Sequence, residues 1–264
     1  MNRIIGAVTL AMIGVGCSEE GTVRGPTPDE VPSTVSVDGT VVTAGFADGR
    51  TRTQVRLSGF RVTTTPITVG QYKQCVSVGA CTLPAAASPA CTRPKPPIVS
   101  SPLAAATLPL ADNDLPLTCA TPVQANGYCH WQRGGLPTLD QWFLAARGPV
   151  PRRFAWGQFQ PDCGHHPAAL QPNVFPQALC GSTTDFEVGK HPLVVSPAGV
   201  QDVLLAQAEL VQPSASASFA ACSNGYCALR GVFPGGIDSI QALKPDGTDS
   251  PAAAFRCAFP EVSR

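Results

Sequence analysis

The chain has 264 residues whose 18 basic and 18 acidic side chains cancel, and no basic run is present to track a phosphate backbone, which argues against a nucleic-acid partner. Charged residues make up only 14% of it, while 27 prolines and 25 glycines interrupt regular structure, so the composition predicts a loop-rich domain and excludes a bundle of long helices. Eleven cysteines divide into one odd residue and ten that can pair completely, a usage that belongs to an oxidising compartment.

Residues 1–17 read MNRIIGAVTLAMIGVGC, with Arg3 in a short positive segment, an apolar run over 4–15, and the small residue Gly16 before Cys17. The run is too short to cross roughly 30 Å of hydrocarbon, which takes about 20 helical residues. It resembles a bacterial lipoprotein signal, which implies lipidation of Cys17 and anchoring to the cell envelope, at the outer membrane. An ordinary secretory signal with an incidental cysteine is the other reading, and either one exports the chain. Residues 18–34 lack apolar periodicity and carry proline turn signals, so they are expected to form a flexible tether. Residues 35–264 then fit a single domain without internal repeats.

Within it, 35–46 and 54–64 alternate apolar and polar residues around turn chemistry at Asp38-Gly39 and Asp48-Gly49, which predicts early strands in hairpins. A helix is predicted over 69–76 with Thr68 as its cap. Residues 83–117, rich in Pro and Ala, read as a long irregular loop tethered by Cys91. A second helix is predicted over 122–131, capped by Thr121 with Pro122 in its first turn. In LPTLDQWFLAARG, Thr138 caps a third helix, Gln141 completes a capping box, Trp142, Ala145 and Ala146 form an apolar stripe, and Gly148 ends it. No regular element is readable beyond that point.

Five segments follow one another in a telling order: FRVTTTPITVGQYKQCVSVGAC, ANGYCHWQRGGLPTLDQWFLAARG, FAWGQ, VGKHPLVVSPAGVQDV and AFRCAF. From about residue 60 to residue 257 the chain resembles the sulfatase-modifying factor domain, the family of the formylglycine-generating enzyme. The second segment is similar to that family's A-Y-C-x-W-x-G-x-R-L-P-T-E-x-E-W-E-x-A-A-R-G block, and the last to its G-F-R-C-A. The resemblance implies an α+β, loop-rich, C-type lectin-like fold stapled by disulfides. It places Trp131, Trp142 and Trp156 at core positions, where a large aromatic buries some 150–250 Å². It also implies a Cys129–Cys257 crosslink, whose long loop is worth roughly 4–5 kcal/mol in the chain-entropy model. For the others, local spacing suggests Cys75 with Cys81, Cys163 with Cys180 and Cys222 with Cys227, leaving Cys91 for Cys119, although spacing does not fix connectivity.

Active members of that family hold copper on a C-x4-C pair that follows an R-G-G-S motif, and the copper activates dioxygen to oxidise a substrate cysteine to formylglycine. A soft metal needs thiolates. With Arg230-Gly231-Val232-Phe233 as the counterpart of R-G-G-S, the two ligand positions fall on Gly236 and Gln241, which carry no sulfur. An alternative site is CSNGYC, where Cys222 and Cys227 have the family spacing. The Asn-Gly between them is a hairpin signal, so a structural disulfide is the plainer reading. The family's G-N-V-W-E-W segment, a metal-binding turn, is replaced by LLAQAEL, which keeps Glu209 but loses the asparagine and the glycine. Asn173 and Asp185 match a family calcium site and read equally as turn caps. His165 and His166 beside Cys163 lack a third ligand at metal-binding spacing, and His130 and His191 stand alone.

The expectation is therefore a cell-envelope lipoprotein with a degenerate formylglycine-generating-enzyme-like domain. It would act as a binding or structural module, presenting loops 83–117 and 213–226 to a protein or glycan at the cell surface. No cofactor is expected unless calcium binds. The alternative is a copper-dependent oxidoreductase working through Cys222 and Cys227.

Overall fold

A computed structural model of the chain describes residues 32–44, 53–84, 113–118, 120–150, 152, 155, 157, 188–189, 195–203, 208–214, 226–232, 236–243 and 253–261. Four short segments rich in β-branched residues open it as β1 (Thr34–Val37), β2 (Thr40–Ala44), β3 (Thr53–Leu57) and β4 (Phe60–Thr63). β1 pairs antiparallel with β4, and β2 with β3. Asp38-Gly39 is therefore not the hairpin turn its composition suggested. It is a corner between two strands that do not pair with each other, and it lies opposite Ser58-Gly59 on the returning chain. A Cβ on Gly39 would stand 2.6 Å from the Gly59 nitrogen and 2.8 Å from the Leu57 carbonyl, so this glycine serves close backbone approach. Asp48-Gly49 lies outside the described residues.

The helices are α1 (Val69–Ser77), α2 (Pro122–Trp131) and α3 (Leu139–Arg147). Each starts from an extended threonine whose hydroxyl accepts the backbone N–H of a glutamine three residues on, while that glutamine's side chain accepts the threonine N–H. The pairs are Thr68 with Gln71, Thr121 with Gln124, and Thr138 with Gln141. Every residue of α3 except Gln141 is buried, so the helix is covered on all sides, where a single apolar stripe was expected. The β2–β3 ribbon packs on it, and Val42, Val55 and Leu57 join Leu139, Trp142 and Phe143 in one apolar cluster.

The end of the long segment read as an irregular loop is pinned by hydrogen bonds. Leu117 N–H donates to the Ile67 carbonyl, and the N–H groups of Val69 and Gly70 donate to the Leu115 and Asn113 carbonyls, so Leu117 enters the core.

Five further strands follow: β5 (Ala208–Val211), β6 (Tyr226–Val232), β7 (Gly236–Leu243), β8 (Ala253–Phe255) and β9 (Ala258–Pro260). They form a four-stranded sheet in the order β7-β6-β5-β8, with β5 and β8 parallel, while β9 joins β1 and β4 in the order β1-β4-β9. A second apolar cluster fills the space among α1, α2 and this sheet. Tyr72 and Tyr128 stack there with centroids 5.6 Å apart, and Phe255 meets both edge-on. Two disulfides staple the cluster: Cys129–Cys257 joins α2 to the link between β8 and β9, and Cys75–Cys81 closes the end of α1.

Candidate functional site

A carboxylate in the middle of a buried strand demands partners, because an unpaired charge there costs several kcal/mol. Glu209, on β5, is 1% exposed and sits between Ala208 and Leu210. Its Oε2 accepts from Arg256 Nε at 2.6 Å and from Trp142 Nε1 at 2.7 Å, and its Oε1 accepts from Arg256 Nη2 at 2.7 Å. The remaining guanidinium donors reach backbone carbonyls: Nη1 to Thr63 and Thr64, each at 3.3 Å, and Nη2 to Gln201 at 3.2 Å. All five N–H donors of Arg256 are thereby used; the guanidinium ties together β4, β5 and the segment around Gln201, and α3 joins through the Trp142 bond to Glu209. The arrangement holds and orients: three of the roughly four acceptor positions of the Glu209 carboxylate are taken by Arg256 and Trp142. Sequence reasoning noted only that Glu209 was kept. The signal for its partners lay in the tryptophan and the F-R-C arginine of two other motifs.

A second junction gathers the V-G and S-P-A-G-V-Q-D motif pieces. Asp202, with φ of +54°, accepts the Gly189 N–H at 2.5 Å, and the Ser196 hydroxyl accepts the Val200 N–H at 3.1 Å. Asn126 Oδ1, on α2, accepts from the Leu136 N–H and from Gln212 Nε2, each at 3.1 Å. Burial pushes the Tyr72 phenol up to about 12 and raises that of Tyr128 further. At neutral pH both are therefore neutral groups. The Tyr72 hydroxyl donates to the Thr82 carbonyl.

The positions where family chemistry was expected lie on β6 and β7. Arg230 pairs with Ser239, Ala228 with Gln241, and Val232 with Gly236 across a register shift, so the aligned ligand positions are strand residues without thiols. Cys227 lies on β6 between Val211 of β5 and Ala242 of β7; it is completely buried and its sulfur is in a disulfide. A copper site needs free thiolates, and the sulfur of Cys227, bonded in a disulfide, is not one. Among the described residues no group of three or more His, Cys, Asp or Glu side chains stands ready for a metal ion. Cys17, Cys91, Cys119, Cys163, Cys180, Cys222, Asn173, Asp185 and Trp156 lie outside the described residues, as do His165, His166 and His191.

The family model for the sulfatase-modifying factor enzyme 1-like domain matches residues 20–203. The chain belongs to this family. Two solved structures share the fold: that of CarF, 16% identical, with a TM-score of 0.53 over 88% of this chain and 100% of CarF, and that of PvdO from Pseudomonas aeruginosa, 14% identical, with a TM-score of 0.54 over 93% of this chain and 100% of PvdO. No curated protein matches. The family assignment accounts for the loop-rich α+β architecture. Glu209 and Arg256 themselves lie beyond the matched residues, in the part of the chain whose likeness rests on fold.

Proposed function

We propose that this member of the sulfatase-modifying factor family is a non-catalytic, exported lipoprotein, anchored through Cys17 and held off the membrane by the residues between Cys17 and Pro32. Ser33 and Thr34, read from sequence as the end of the tether, already belong to the domain, where Thr34 opens β1. That domain works as a binding or structural module for a protein or glycan at the cell surface. The observation that carries this reading is Cys227: its sulfur is bonded within a disulfide and buried in a central strand, while the aligned positions Gly236 and Gln241 offer no thiol. Thiolate-bound copper lacks the ligands on which this family's oxidation depends.

Thiol titration of the purified, exported protein without reductant is expected to reveal no reactive pair at positions 222 and 227. Copper(I) titration is expected to give the same curve for the wild type and for a Cys222→Ser, Cys227→Ser variant. Two reactive thiols that vanish in the variant, together with a stoichiometric copper site, would replace this reading with copper-dependent oxidation of a substrate cysteine. Mass spectrometry of the mature N-terminus tests the anchor, for which a diacylglyceryl group on Cys17 is the expected result.

A further inference from the structure

We propose that the Cys75–Cys81 disulfide is a reducible latch, opened by a dithiol in the folded protein while Cys129–Cys257 stays closed. The two bonds differ in what covers them. Cys75 points into the α1–α2 cluster and is completely buried, but Cys81, six residues on and past the end of the helix, is only half-buried. Cys129 and Cys257 are both completely buried, one on α2 and the other between β8 and β9. Thiol–disulfide exchange requires a thiolate to reach a sulfur, so access decides which bond opens first.

Opening this bond need not disturb the rest of the fold. It closes a tight turn in which the N–H groups of Ala80 and Cys81 both return to the Cys75 carbonyl. Just beyond it, the Tyr72 hydroxyl donates to the Thr82 carbonyl, and Gln124 Nε2 donates to the Thr82 hydroxyl and the Leu83 carbonyl. These bonds hold the departing chain against α1 and α2 without help from sulfur. Opening therefore loosens the turn over residues 78–81, next to the exposed side chains of Val78 and Leu83, and leaves the helices in place.

The exchange balances with a dithiol as reductant. One of its thiolates attacks Cys81 Sγ, the S–S bond breaks, and Cys75 leaves and takes up a proton. The second thiol of the reductant then displaces Cys81 from the mixed disulfide, so two electrons and two protons reach the protein and the reductant closes its own disulfide. Apolar surroundings disfavour the departing Cys75 thiolate, which slows the exchange without redirecting it.

The test is a graded dithiothreitol titration of the native full-length protein, followed by alkylation and peptide mapping. Cys75 and Cys81 should become labelled at a reductant concentration about tenfold or more below that needed for Cys129 and Cys257. Amide exchange should rise only around residues 78–81. Equal labelling of the two pairs, earlier labelling of Cys129 and Cys257, or a rise in exchange across the sheet would overturn the proposal. A Cys75→Ser, Cys81→Ser variant should unfold cooperatively and reproduce the local exchange pattern. If it does not fold, the bond belongs to the fold and is no latch. Labels are assigned residue by residue, so this outcome is separate from the state of Cys222 and Cys227.

Discussion

Glu209 is the residue whose replacement should reveal most about this molecule. Changing it to Gln keeps the shape but removes the charge that Arg256 needs, and breaking a buried pair from one side costs about 3–5 kcal/mol. Urea denaturation of Glu209→Gln should show a loss of that order, and a loss below about 1 kcal/mol would mean that the backbone carbonyls alone satisfy the guanidinium. A Glu209→Leu, Arg256→Met double variant should recover part of the loss, because no charge is then left stranded. The sequence displayed the carboxylate but hid its partners, since Trp142 and Arg256 lie 67 and 47 residues away and only the folded chain brings them together. Arg133 is a comparable case. It holds φ at +67° where the related block carries glycine, and a side chain in that left-handed region costs roughly 1–2 kcal/mol.

The helices were legible because their signals are local. A threonine followed three residues later by glutamine marks each start, and the reciprocal bonds that result form within a single turn. Thr138→Ala removes the hydroxyl that accepts the Gln141 N–H, so it should lower stability by about 1 kcal/mol. Thermal melts of that variant beside Thr138→Ser, which keeps an acceptor, should separate loss of the cap from loss of the methyl group. β5, β8 and β9 were not legible, and for the opposite reason. β8 and β9 are three residues each, β5 is buried along its whole length, and the pairing of β5 with β8 is parallel across more than forty residues of chain. Such short, buried runs carry no period of their own. Asp38-Gly39 misled because glycine answers to two demands, a turn and a close crossing, and the sequence does not say which one applies.

At the scale of the whole molecule, Cys129–Cys257 spans 128 residues and binds the last part of the chain to the middle. A Cys129→Ala, Cys257→Ala variant should lose roughly 4–5 kcal/mol, chiefly by freeing the unfolded chain, and calorimetry beside the wild type checks this. The pairing was readable only through family resemblance, because ten cysteines admit many connectivities. The architecture was readable in the same way. The proposal of lost copper chemistry rests on replacements in the sequence, with Gly236 and Gln241 standing where sulfur would be needed, while the disulfide at Cys227 is visible only in the structure.

Arg256 occupies its crossing much as a coordinated ion would, ringed by three main-chain oxygens and a bidentate carboxylate. Unlike a dissolved ion, it is delivered covalently, once per molecule, and neither dilution nor a chelator can strip it away. At this crossing the protein carries its own permanent counter-charge to Glu209.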